Sequence, residues 1–214
     1  MSVFGRVQKS FVAAFFRKLF RVKIVSPENE PPDGNSYVVC MNHSSNWDPI
    51  LIGACMHRPL RYMAKAELFK IPVLKSVVKL FGAFPVDRKT ADVGSVKTAI
   101  HILEQGEVVG MYPQGTRVRK KHPAEVPPKS STAAMVAYRA KTGILPVAII
   151  SKGYKVKAFR KTTVVFGAYI PFEELEKTAG AETDNKMDLY KKIMDKVYRD
   201  ILDNYEKYDR LNKK

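Results

Sequence analysis

The sequence predicts an α/β fold with a mostly parallel central sheet flanked by helices, preceded by a basic amphipathic helix. Three observations predict it. Short β-branched apolar runs, bounded by glycine, proline or acidic residues, alternate with longer segments of helical apolar period. A chain of 214 residues with 45% apolar content is large enough for one well-buried core. At the N-terminus, Val3, Phe4, Val7, Phe11, Phe15, Leu19 and Phe20 recur at helical spacing, with no acidic residue before Glu28.

Taken in order, residues 1–25 read as an amphipathic helix that lies on a membrane surface, and residues 26–214 as the α/β domain. Arg6, Lys9, Arg17, Lys18, Arg21 and Lys23 supply the charge. Each cation close to an anionic surface contributes about 1 kcal/mol. The apolar run 11–16 is too short for the core of a signal peptide. The plainer alternative is a helix packed on the domain. Residues 27–35, rich in proline and acid, read as a linker. Strands are expected at 37–41, 61–64, 83–86, 108–112, 144–150, 156–159 and 163–167. Helices are expected at 49–56, 73–81, 91–105, 131–141 and 185–207. The last carries Tyr190, Met194, Val197, Ile201, Tyr205 and Tyr208 on one face, a stripe suited to covering a sheet. Strand–helix alternation implies parallel pairing, with an antiparallel pair near the end.

A net charge of +16 favours anionic partners such as lipid headgroups, nucleic acid or phosphorylated substrates. Nucleic acid is disfavoured, because basic residues are not interleaved with stacking aromatics and no recognition-helix or zinc-ligand pattern occurs. No uncharged apolar stretch nears the roughly 20 residues that span a bilayer. Cys40 and Cys55 lie in apolar surroundings without metal-ligand spacing and read as buried free thiols.

The chemistry is concentrated in Asn42-His43-Ser44-Ser45-Asn46-Trp47-Asp48-Pro49. A histidine beside a carboxylate is a ready general base: the carboxylate fixes the imidazole tautomer and stabilises the imidazolium. On a continuous helix, residues five apart diverge by about 140°, so the two side chains meet only if the chain turns between them. Asp48-Pro49 reads as a helix start, with Asp48 at the cap and proline at the first helical position. Capping alone would also explain Asp48, although one carboxylate has oxygens enough for both tasks. Further on, Gly82-Ala83-Phe84-Pro85-Val86-Asp87-Arg88 and Tyr112-Pro113-Gln114-Gly115-Thr116-Arg117 each bring an arginine out at the end of a strand-like segment. Ligands of α/β sheets bind outside the carboxyl ends of strands, and arginines there suit a phosphate. Taken singly, Arg88 reads equally as a surface charge, and 117–121 as a solvated basic run. Ile144-Leu145-Pro146-Val147 then enters another strand.

These blocks, in order His-x4-Asp, Gly-x-Phe-x-x-x-Arg, Gln-Gly-Thr-Arg and Leu-Pro-Val, resemble those of the glycerolipid acyltransferases, most closely the 1-acylglycerol-3-phosphate (lysophosphatidic acid) branch. The resemblance runs from about Asn42 to Val147, with 163–171 also similar. It implies that His43 removes the proton from the sn-2 hydroxyl of lysophosphatidic acid while Asp48 holds the ring. The oxygen then attacks an acyl thioester directly, giving phosphatidic acid for phospholipid synthesis. It further implies that Lys65, Arg88, Gly115, Thr116 and Arg117 bind the acceptor phosphate, with backbone N–H groups after His43 as a guess for the oxyanion donors. Acyl carrier protein or coenzyme A would bring the acyl group as co-substrate, with no metal or cofactor. The expected place is the cytoplasmic face of a membrane, on an anionic surface. The third block departs from the family, which usually has glutamate where this chain has Gln114; the difference bears on acceptor identity and affinity. Alternatives are another acceptor, such as glycerol 3-phosphate or a different lysolipid, or a non-catalytic peripheral membrane protein. A serine hydrolase is disfavoured, since no Gly-x-Ser-x-Gly elbow occurs.

Overall fold

In a computed structural model, which describes residues 3–65, 69–72, 75–76, 79, 82–86, 93–179 and 185–213, the chain is built on one seven-stranded sheet. The strands are β1 (Val22–Val25), β2 (Tyr37–Met41), β3 (Leu60–Lys65), β4 (Ala83–Val86), β5 (Val108–Met111), β6 (Gly143–Ser151) and β7 (Thr162–Phe166). Their order is β1-β7-β6-β2-β5-β3-β4. The five strands from β6 to β4 are parallel. β7 joins β6 antiparallel, and β1 follows β7 in parallel.

Central strands of a parallel sheet are covered on both faces and so read as unbroken apolar runs. β2, all of it buried, is such a run. Its alternate side chains feed two cores. Val38 and Cys40, with Val109, Ile144, Ala148 and Ile150, pack under the helices α3 (Val93–Glu104), α4 (Thr132–Arg139), α5 (Phe172–Ala179) and α6 (Lys186–Lys213). Tyr37, Val39 and Met41, with Leu145, Val147 and Ile149, pack under α1 (Val3–Leu19) and α2 (Asp48–Cys55). The expected stripe of α6 is a core stripe: Tyr190, Met194, Val197, Ile201 and Tyr205 are buried and Tyr208 packs against the same core. Cys40 and Cys55 are free and buried as expected.

Several elements differ from the sequence reading. The N-terminal helix stops at Leu19, and residues 22–25 turn into an edge strand on β7. Ala13 of α1 and Phe20 just after it are buried and Val12, Phe16 and Leu19 lean on the core, whereas Phe11 and Phe15 face outward. Residues 27–35 are tied in, because Glu30 accepts from Tyr37 Oη and from the N–H groups of His57 and Arg58. The strand expected at 156–159 is a loop joining β6 to β7, since the sheet partner available to β6 is β7 itself. Helix α5 is not among the helices expected from the sequence. The helix expected at 73–81 lies largely outside the described residues.

Parallel topology brings the ends of β2, β3, β4, β5 and β6 to one edge of the sheet. Gly82 governs the entry to β4: its φ of +82° suits glycine, and a Cβ there would collide with the Leu60 carbonyl.

Candidate functional site

The chain leaves β2 at Met41 and turns sharply before α2, and this turn brings His43 and Asp48 together. His43 Nδ1 lies 2.8 Å from Asp48 Oδ2. The carboxylate is fully buried, while the imidazole keeps 17% exposure. The same Oδ2 accepts the N–H groups of Ser44 at 2.6 Å and Ser45 at 2.7 Å, and Ser44 Oγ lies 3.4 Å from Oδ1. A buried carboxylate needs its lone pairs filled, and this one is supplied from the turn it organises. Asp48 is the first residue of α2, so the positive end of the helix adds to its stabilisation. Trp47, rather than Asp48, occupies the cap position, and the Asp48 carboxylate turns back toward the loop.

This arrangement answers the question of the oxyanion donors in part. The N–H groups of Ser44 and Ser45 are committed to Asp48, and that of His43 donates to Gln114 Oε1 at 2.9 Å. None of the three is available for an oxyanion. With Nδ1 directed at Asp48, Nε2 is the nitrogen left to exchange a proton with a ligand. The ring stacks on Tyr112, with centroids 4.0 Å apart and planes 25° apart. Burial, reinforced by the nearby Asp48 charge, pushes the Tyr112 phenol well above its ordinary value, so the stacking partner is neutral.

Supports on three sides fix the turn. Asn42 pairs with the backbone of Ile149, donating to its carbonyl at 3.0 Å and accepting from its N–H at 2.8 Å, which ties the exit of β2 to β6. The Val118 N–H donates to the His43 carbonyl at 2.8 Å. Gln114 is fully buried: its Oε1 takes the His43 N–H, and its Nε2 donates to the Val126 carbonyl at 3.0 Å and the Pro123 carbonyl at 3.5 Å. The polarity of those backbone groups dictates the amide orientation, because a carboxylate would serve the first and repel the others. Gln114 is thus a support of the histidine turn.

Of the remaining expected site residues, Lys65, Gly115, Thr116 and Arg117 lie at or just past the ends of β3 and β5, at the same edge. Gly115 has φ +66° in a turn closed by its N–H donating to the Tyr112 carbonyl, so that N–H is already used. Thr116 beside it is exposed. Arg117 lines an open cleft of about 310 Å³ together with Arg119, Lys155, Lys157, Trp47 and residues 44–46. Lys65 is the last residue of β3. Arg88 lies outside the described residues. Sequence reasoning missed the roles of Asn42, Tyr112 and Gln114, and missed Lys155 and Lys157, which it had assigned in or beside a strand. The absence of any acid from 152–161 was the available signal.

Comparison with known proteins gives the family to which this fold and site belong. The acyltransferase family model matches residues 21–150. A Bacillus subtilis protein named 1-acyl-sn-glycerol-3-phosphate acyltransferase is 36% identical over 141 residues, which are 65% of this chain and 68% of that one. A Streptococcus pneumoniae protein of the same name is 30% identical over 119 residues, 55% of this chain and 42% of its own length. The crystal structure of the 1-acyl-sn-glycerophosphate acyltransferase of Thermotoga maritima shares the fold, with a TM-score of 0.73 at 20% identity over 95% of this chain and 80% of that one. The chain belongs to the acyltransferase family.

Proposed function

We propose that the protein transfers a fatty acyl group from an acyl thioester to the sn-2 hydroxyl of lysophosphatidic acid, giving phosphatidic acid. The observation that carries the mechanism is the Nδ1–Oδ2 contact of 2.8 Å onto a buried carboxylate that also holds two backbone N–H groups. Names of the Bacillus and Streptococcus relatives support the acceptor.

In this reading the acceptor hydroxyl donates to His43 Nε2. As its oxygen bonds to the thioester carbonyl carbon, the proton passes to the ring, and Asp48 stabilises the imidazolium. Collapse of the tetrahedral intermediate breaks the C–S bond, and the departing thiolate takes the proton back from Nε2. Product, thiol and neutral histidine are regenerated without an acyl-enzyme. Lys65, Arg88 and Arg117 bind the acceptor phosphate, with Thr116 Oγ as a neutral donor and Gly115 allowing close approach. Among these, the location of Arg117 in a cationic cleft beside the turn gives direct support. Coenzyme A or acyl carrier protein delivers the acyl group, and the protein works from the cytoplasmic face of a membrane into which its acceptor partitions. No helix among the described residues is long and apolar enough to cross a bilayer.

The test is acyl transfer in mixed micelles with palmitoyl-coenzyme A and acyl carrier protein donors in parallel, using lysophosphatidic acid, glycerol 3-phosphate and lysophosphatidylcholine as acceptors. Phosphatidic acid formation that disappears in His43→Ala is the expected result. Transfer to another acceptor only, or thioester cleavage without any acceptor, would overturn the assignment.

A further inference from the structure

The loop joining β6 to β7 lines the cleft through Lys155 and Lys157, and beyond them carries a tip that the transfer reaction leaves unused. Residues 152–161 contain Lys152, Lys155, Lys157, Arg160 and Lys161 and no acid. Among the described residues none of these cations, nor Arg117 or Arg119, has a carboxylate within ion-pair distance. At the loop's tip Phe159 is 77% exposed and held at φ +59°, a left-handed conformation that bulky side chains rarely adopt. An aromatic side chain held in such a conformation and turned to water contributes nothing to the core. Backbone strain of this kind is retained where surroundings over-determine it, and it clusters at ligand contacts.

The tip is also placed. The Phe159 N–H donates to the Leu19 carbonyl at the end of α1. Phe11, Phe15 and Leu19 follow one another at a spacing of four and therefore lie along one face of that helix. Phe11 is 75% and Phe15 61% exposed. Trp47, half-exposed, packs on Phe16 and Phe20 and lines the cationic cleft with Lys157. Exposed aromatics and unpaired cations thus form one continuous border from the outer stripe of α1 to the mouth of the cleft. Aromatic side chains with lysine and arginine around them are what the boundary of an anionic bilayer accepts.

We propose that the 152–161 loop is a second lipid-binding element, which inserts Phe159 at the level of the headgroups and lays its cations on anionic lipid. The two contacts, α1 and this loop, would seat the cleft against the bilayer. The proposal deepens the membrane-surface reading above and rests on it.

Trp47 is the only tryptophan of the chain, so its emission reports this border alone. The experiment measures partitioning of the full chain onto phosphatidylcholine vesicles and onto phosphatidylcholine–phosphatidylglycerol vesicles, with quenching of Trp47 by brominated acyl chains. Phe159→Asp is expected to weaken partitioning about tenfold while Phe159→Leu preserves it. The pair Lys155→Glu and Lys157→Glu together should weaken binding to the mixed vesicles by at least about tenfold and leave the neutral ones unaffected. Because all three side chains are exposed, the melting temperature serves as the fold control. Partitioning unchanged in both variants would overturn the proposal. So would charge reversal that abolishes binding of purified acyl carrier protein but not of vesicles, since the loop would then be a protein-docking surface. Vesicle binding that responds as expected in a protein without transferase activity would uphold the loop's role and remove the enzymatic reading instead.

Discussion

Two neighbouring strands end at the same edge of the sheet and are finished in opposite ways. At the end of β2, the turn from Asn42 to Asp48 commits its polar groups inward: the carboxylate to a ring and two N–H groups, Asn42 to β6, and the His43 N–H to Gln114. At the end of β6, the loop 152–161 has cations without carboxylate partners among the described residues, and a phenylalanine turned to solvent. A base works best when its geometry is set before the substrate arrives, so that no reorganisation is required in the transition state. A surface that receives a large anionic partner works the other way, holding charge that only the partner completes. Proximity at one sheet edge joins a finished site to an unfinished one.

Substitutions can break this contrast. His43→Ala removes the proposed base and should lower kcat by about 10³-fold, within the usual range for loss of a general base, measured by phosphatidic acid formation at saturating acceptor. Gln114→Ala leaves the His43 N–H and the Val126 carbonyl without partners, which costs about 1–3 kcal/mol for each buried group; a fall in the urea midpoint together with a lower kcat is expected. Gln114→Glu keeps the first contact and loses the second, so it should fall between wild type and alanine. Equal stability in all three would show that the turn does not depend on this support. Arg117→Ala should raise KM for the acceptor about tenfold with little change in kcat, as expected of a group that binds ground and transition states alike.

A smaller effect sharpens the buried side of the comparison. Burial pushes the Cys55 thiol, in the helix behind the turn, up to about 12, while an unfolded chain releases that proton near the ordinary value of about 8.5. Between those values the folded state holds a proton that the unfolded state has lost, so stability falls as pH rises through the window. Urea midpoints measured from neutral to alkaline pH should decline, and Cys55→Ala should flatten part of the decline.

Much of this was legible in the sequence because apolar runs record burial. The strands at 37–41 and 83–86 were read to the residue, since a strand covered on both faces leaves no polar position to confuse its limits. The stripe of α6 was equally plain at its helical period. His43 and Asp48 were legible for a different reason: their spacing is useless on a helix and becomes useful only when a strand ends between the flanking apolar runs. The supports were hidden. Gln114 is a polar residue whose partners lie at positions 43, 123 and 126, and no local pattern announces a contact made by chain reversal. The segment 156–159 is mostly apolar and reads as a strand, yet antiparallel return to β6 begins only at Thr162, leaving its residues in the connecting loop. The apolar stripe of α1 was legible by its period but its division was not, because packing took Ala13 and, just past the helix, Phe20, and left Phe11 and Phe15 outside.

The most direct test of the central claim is the steady-state kinetics of Asp48→Asn with lysophosphatidic acid as the varied substrate. The account holds that Asp48 positions the base and stabilises its charge without touching the acceptor. It therefore predicts a fall in kcat of about 10²-fold or more with KM changed little. An unchanged kcat with a raised KM would contradict it, and would make the His43–Asp48 pair part of acceptor binding rather than of proton transfer.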